Sequence, residues 1–365
     1  VQTCALPIYR IFFWSLLEFI VASLEKEMVS ANAYYFGVPV ALYTTNVLRK
    51  KLTNAAYQKA RLPSDKEVLQ YLPAEQQQLV SHQHRLFKTT SHNNTLYLQH
   101  WIPKHLKPSQ WKGAYFHIHG LGDHGLRFSD MSYLLCKAGY VVFAVDHLGH
   151  GFSDGIRCYC NDMKIMIEDC EEAVALMKTM LKKYLNQPKL NIPVYGEAIS
   201  MGGCIMLDMY RRNAKLFDKW VFLAPMARVA GNSYPPKAAI ITAKLMRLIW
   251  PTLPMVNGNK GNNNHDLKYQ DLFQNDPYTY SGRLRVGLGL AFKDEMDTFK
   301  NLTIRQNNVI CFHGDDDKAT DLEMSKKIFG NRLVVKKGFP LDLVKEMGQQ
   351  IIPEVITWLN KSIYS

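Results

Sequence analysis

Ile192-Pro193-Val194-Tyr195-Gly196-Glu197-Ala198-Ile199-Ser200-Met201-Gly202-Gly203 passes from a short apolar stretch, through one serine, into two glycines and a helix-compatible segment. A serine on so tight a strand-to-helix turn holds its Oγ clear of the sheet, and the next amide, Met201 N–H, faces the same space. Gly202 and Gly203 permit the close backbone approach that such a turn requires. Turns of this kind belong to open parallel sheets, where ligands gather at the carboxyl ends of the strands.

Outward from this turn, Ala114 to Ile118, Tyr140 to Val145, Trp220 to Leu223, Val309 to Phe312 and Arg332 to Val335 are further near-continuous apolar runs. Strands buried on both faces read this way. Between them, about Met163 to Leu185 carries Ile167, Cys170, Val174, Met177 and Leu181 at three- and four-residue intervals, a helix with one apolar stripe. Ahead of them, Leu86 to Phe87 and Thr95 to Trp101 alternate in polarity about a His92-Asn93-Asn94 turn, which predicts an antiparallel hairpin. The interval between Leu223 and Val309 is too long for a loop and is expected to be an inserted cap, residues 226–300. The expected core is then 86–225 and 301–363, with an N-terminal extension over 9–85.

The other strand ends also carry signals. His119-Gly120-Leu121-Gly122-Asp123-His124 follows one strand, and its glycines allow Leu121 N–H to join Met201 N–H around a developing oxyanion. Asp146-His147-Leu148-Gly149-His150-Gly151-Phe152-Ser153-Asp154-Gly155 follows another. Its histidines and aspartates invite a metal reading, but no third ligand stands at recognisable spacing, so a structural turn is expected. His313-Gly314-Asp315-Asp316-Asp317-Lys318-Ala319-Thr320-Asp321 ends a late strand, where a carboxylate that orients a base from across the sheet belongs.

The 365 residues are 47% hydrophobic and 21% charged, which excludes a mainly disordered chain, a collagen and a coiled coil. Lysine and arginine exceed aspartate and glutamate by 44 to 32, a net charge of +12. The basic residues are scattered doublets such as Lys50-Lys51 and Lys182-Lys183, and no nucleic-acid-binding motif accompanies them. Seven irregularly spaced cysteines fit reduced thiols and a cytoplasmic location. Val1 to Ile8 is read as a sequencing artefact. Ile11 to Ala22 is apolar but short for a bilayer span and interrupted by Glu18, so a truncated anchor, an interfacial helix, a signal remnant and a packed helix stay open.

Together the motifs resemble the monoacylglycerol lipase and lysophospholipase branch of the α/β-hydrolases, also described as serine aminopeptidase-like hydrolases, over about residues 86 to 362. Its H-G-x-G-[DE]-H, D-H-x-G-H-G-x-S-[DE]-G, G-x-S-M-G-G and H-G-x-x-D-x-x-x-D stand here as HGLGDH, DHLGHGFSDG, AISMGG and HGDDDKATD. Asn275-Asp276-Pro277 and Gly282 to Gly287 are similar to the end of that family's cap. The resemblance implies an α/β-hydrolase fold, an eight-stranded mostly parallel sheet with helices on both faces, and a helical cap between the sixth and seventh strands. It implies Ser200 as nucleophile, Asp317 as triad acid, and Leu121 and Met201 as oxyanion donors. No metal or organic cofactor is expected, and an acyl-ester lipid is the expected substrate. A membrane surface is an expected partner, and nucleic acid is not. Ala238 to Trp250 suits a lipid-facing cap helix and equally a core-packed one.

Two positions depart from the family. Ala198 stands two residues before the serine, where glycine is usual. Either glycine has become alanine, which puts Glu197 in a buried strand, or Ala198-Ile199 is an insertion after Gly196-Glu197. The catalytic histidine of the family's G-x-x-H turn falls on Leu341, in Gly338-Phe339-Pro340-Leu341, and no histidine follows His313. Leucine cannot take the serine proton, and loss of a triad member costs on the order of 10⁴ to 10⁶ in rate. A one-base reading error, a true loss of activity, and a replacement base among His119, His124, His147 and His150 are the three explanations. Two functions therefore stand side by side: a serine ester hydrolase, and a catalytically inactive hydrolase-like protein that binds lipid or serves as a scaffold.

Overall fold

Each apolar run becomes a strand of one sheet whose central members are buried along their whole length. A computed structural model describes residues 33–186, 192–231, 235–256, 265–341 and 343–361, with the backbone alone for 33–42 and 343–350. The sheet strands are β1 (Val80–Lys88), β2 (Thr95–Pro103), β3 (Gly113–Ile118), β4 (Tyr140–Val145), β5 (Val194–Ile199), β6 (Lys219–Leu223), β7 (Val309–Gly314) and β8 (Leu333–Lys336). They lie in the order β8-β7-β6-β5-β3-β4-β2-β1, and only the pairings of β2 with β1 and β4 are antiparallel. Every residue of β3, β4, β5 and β6 is buried, as helices on both faces demand.

The first strand starts at Val80 rather than Leu86 and pairs with β2 from Val80 opposite Pro103 to Lys88 opposite Thr95. Histidine hides this in the composition. His82 packs on Trp101 and His84 on Tyr97, so the imidazoles do the work of aromatic side chains on a half-buried face.

α2 (Ser129–Lys137) and α9 (Leu343–Leu359) belong to the layer with Tyr115, Val142 and Tyr195, whereas α3 (Met163–Leu185) and α4 (Met201–Arg212) cover Ala114, Phe116 and Ile118. Asp162 caps α3 by accepting from Lys164 N–H, and Asn186 ends it in the left-handed region. Within the long excursion lie α5 (Lys237–Ile249), α6 (Leu267–Gln274) and α7 (Val286–Thr298). α5 buries none of its residues and exposes Ile241, Leu245, Leu248 and Ile249, while α7 sends Leu288, Ala291 and Phe292 into the main core. α8 (Leu322–Phe329) joins β7 to β8.

The chain divides after Ala56, and α1 (Ala33–Ala55) belongs to the first unit. No described helix is long and apolar enough to cross a membrane. Val1 to Ile8 and the Ile11 to Ala22 run lie outside the described residues.

Candidate active site

Ser200 stands between β5 and α4 with φ 52° and ψ −115°, a region in which a non-glycine residue is strained. Neighbours over-determine it. Its N–H donates to Leu223 O at 3.1 Å, and its carbonyl accepts from Met226 N–H at 2.8 Å and Cys204 N–H at 3.2 Å. No hydrogen bond to the Ser200 hydroxyl occurs among the described residues.

β5 runs in unbroken register through the elbow, with Ala198 opposite Ile118 of β3 and Phe222 of β6. Glu197 is consequently buried in mid-sheet, opposite His117. The two side chains bond through Oε2 and Nδ1, which offsets part of the penalty of a buried carboxylate, while Glu197 Oε1 and His117 Nε2 have no hydrogen-bond partner among the described residues.

Gly202 lets α4 abut the end of β3, since a Cβ there would stand 2.1 Å from Ile118 O and 2.7 Å from His119 O. The 119–122 turn therefore lies beside the serine, an ideal Cβ on Gly120 falling 3.5 Å from Ser200 Cβ. Gly122 adopts φ 71°, and its carbonyl accepts from Tyr280 N–H at 2.8 Å, tying the turn to the 276–280 strap. The backbone amides of Leu121 and Met201 thus belong to segments that meet at Ser200, and the amino end of α4 adds its partial positive charge there.

The 146–155 segment is wired as a turn. Asp146 accepts from Gly125 N–H at 2.8 Å and Phe152 N–H at 2.9 Å, and burial raises its pKa to about 6. Among the described residues no histidine, cysteine and carboxylate group fits a metal ion.

The four candidate replacement bases are occupied or isolated. His119 donates from Nδ1 to Gly120 O at 2.8 Å and accepts at Nε2 from His147 N–H at 3.1 Å, leaving no nitrogen for a serine. His124 Nε2 meets Asp276 Oδ2 at 3.1 Å. His147 and His150 keep Nε2 without a partner among the described residues, and burial lowers them to about 3 and about 4. None of the four bonds Ser200.

The Asp317 side chain is buried at the end of β7. Oδ1 accepts from Ala319 N–H at 2.7 Å and Thr320 N–H at 2.9 Å; Oδ2 takes the Thr320 hydroxyl and stands 3.1 Å from His313 Nε2. Its usual acceptor positions are all taken. Leu341 is buried, and its turn is fastened to the same region by Asp316 N–H donating to Phe339 O at 3.0 Å. His313, Thr320, His117 and Glu197 were not among the residues expected here. The four-residue spacing from His313 to Asp317 was a visible signal, whereas the His117–Glu197 contact had none.

The family model for serine aminopeptidase, S33 (Hydrolase_4) matches residues 109–338. The chain is 27% identical over 291 residues to caffeoylshikimate esterase of Arabidopsis thaliana, covering 74% of this chain and 83% of the relative. It is 24% identical to monoglyceride lipase of Rattus norvegicus, covering 73% and 88%. A soluble variant of monoglyceride lipase from Saccharomyces cerevisiae, solved with a substrate analog, superposes with a TM-score of 0.62 at 19% identity, over 76% of this chain and 94% of the other. Monoacylglycerol lipase of Paleococcus ferrophilus gives a TM-score of 0.55 at 19% identity, over 76% and 98%. The eight-stranded α/β-hydrolase fold is common to them.

Proposed function

The chain belongs to the serine aminopeptidase S33 family of α/β-hydrolases, and from that premise we propose that it cleaves acyl-ester lipids of the monoacylglycerol or lysophospholipid class through Ser200. The strained Ser200 backbone beside the 119–122 turn carries this reading, because strain of that kind persists where a nucleophile is held ready. In the reaction, Ser200 Oγ attacks the ester carbonyl, and the amides of Leu121 and Met201 receive the oxyanion. With no protein base in place, solvent water takes the serine proton and returns one to the departing alkoxide, which leaves as the alcohol, and a further water hydrolyses acyl-Ser200 to the free acid. Asp317 is the acid of the constellation and Leu341 occupies the base position, so turnover runs on the order of 10⁴ to 10⁶ below that of a histidine-bearing site. The exposed apolar face of α5 meets the lipid aggregate that holds the substrate, and the cytoplasm, where its buried cysteines stay as thiols, is the place of action.

A second reading, a catalytically inactive acyl-lipid binder or scaffold, is favoured by one observation: Asp317 is fully engaged by His313 and Thr320, and a leucine fills the base position. A fluorophosphonate probe separates the two. For the enzyme we expect slow labelling of the parent, none of Ser200→Ala, and at least a hundredfold faster labelling of Leu341→His, a fraction of what a triad base supplies. Labelling that survives Ser200→Ala overturns the assignment of the nucleophile. A parent that is never labelled, yet retains a fluorescent fatty-acyl ligand, is the binder.

A further inference from the structure

Tyr57–Gln58 pairs antiparallel with Gly155–Ile156 and lays the following residues across the 151–154 segment. Arg61 N–H donates to Phe152 O at 3.1 Å and Ala60 N–H to Asp154 Oδ1 at 2.5 Å. Beneath them opens a pocket of about 140 Å³ lined by Gln58, Lys59, Arg61, Phe152, Arg157 and Tyr278, among others. That volume suits a small anion with its waters and excludes a lipid chain.

The charges on its walls do not cancel. Arg61 is matched by Glu67, with contacts of 2.5 and 3.0 Å, and its guanidinium lies over the Phe152 and Tyr278 rings. Arg157 has no such match. It donates to Gln58 Oε1 at 2.8 Å, Thr279 O at 2.5 Å and Pro277 O at 3.3 Å, all neutral acceptors, and no described carboxylate forms an ion pair with it. Asp276, whose field it feels, is committed to His124, to the Tyr71 hydroxyl at 2.8 Å and to Tyr278 N–H at 2.8 Å. Lys59 is exposed and makes no bond among the described residues. Two cations without counter-charge therefore share one small pocket, one of them a half-buried guanidinium whose fork fits oxyanions.

We propose that this pocket is a binding site for a small phosphate- or carboxylate-bearing anion, held by Lys59 and Arg157. Pro277 and Tyr278 form one wall of it, on the strap whose Tyr280 N–H bonds Gly122 O, so an occupant bears on the segment tied to the 119–122 turn.

The test measures thermal unfolding of the full chain at constant ionic strength, titrating inorganic phosphate in one arm and citrate in the other. A saturable rise in Tm is expected in at least one arm, and the arm that responds identifies the class. Lys59→Ala should weaken the response about tenfold, the loss of one charge-assisted contact, and Lys59→Glu should abolish it. Lys182→Glu, the same reversal on α3, should leave it unchanged. Because Arg157 also holds the strap, Lys59 is the better probe of binding separate from folding. No rise in either arm, or an undiminished rise in Lys59→Glu, overturns the proposal.

Discussion

Replacing Glu197 by alanine leaves the His117 imidazole buried in mid-sheet without its carboxylate, and replacing His117 strands Glu197 in the same way. Breaking one side of a buried pair costs about 3 to 5 kcal/mol, whereas replacing both by apolar residues of similar volume is often neutral. We therefore expect each single variant to lower the urea midpoint strongly and His117→Leu/Glu197→Leu to recover most of the loss. Equal destabilisation by the double variant would mean that the pair contributes packing alone. The strand that carries Glu197 into the core is the strand that positions Ser200, and its register is unbroken.

The start of α4 has no room to spare. Gly202→Ala puts a methyl group 2.1 Å from Ile118 O, so either the helix or the end of β3 must retreat. Overpacking of this kind costs about 1 to 3 kcal/mol or more, and thermal unfolding should show it as a lower Tm together with loss of fluorophosphonate labelling. An unchanged Tm would place the helix farther from β3. α5 behaves oppositely, because Leu245 and Leu248 are exposed. Leu245→Lys/Leu248→Lys should shift stability by less than about 0.5 kcal/mol per site and reduce co-sedimentation with lipid vesicles. Undiminished co-sedimentation would remove α5 from the lipid-facing surface.

Acid should unfold the protein earlier than its carboxylates alone would dictate. Burial lowers His82 and His147 to about 3, His100 and His150 to about 4, and His119 well below the ordinary histidine value. Below about pH 6.5 the unfolded chain binds protons that the folded chain refuses, so stability is present at neutral pH and falls as pH drops toward 4. Each such group contributes up to about 1.4 kcal/mol per pH unit in that window. Asp146 acts in the other direction: its folded value near 6 favours the protonated folded form at acid pH and softens the decline. Urea unfolding at pH 7.5, 6 and 5 should give steadily lower stabilities, and a flat profile would mean that the histidines are hydrated in the folded state.

The order of apolar runs, the glycine turn after β3 and the serine between strand and helix were legible in the sequence itself, whereas the expectation of a base at Leu341 came from the family resemblance. The first three are local properties, since burial on two faces writes itself as an unbroken apolar run and a tight turn writes itself as glycine. The tertiary structure alone decided which side chains meet. His117 and Glu197 are 80 residues apart and touch only because β3 and β5 pair in one register. Asp317 is taken up by His313 and Thr320 through the curl of one turn, and Arg157 donates to neutral acceptors while Asp276 meets His124. Even β1 escaped its own composition, because an imidazole on a half-buried strand is polar by residue type and aromatic by packing. Periodicity records how deeply a residue is buried; what it is buried against is set by register and crossing, which exist only in three dimensions.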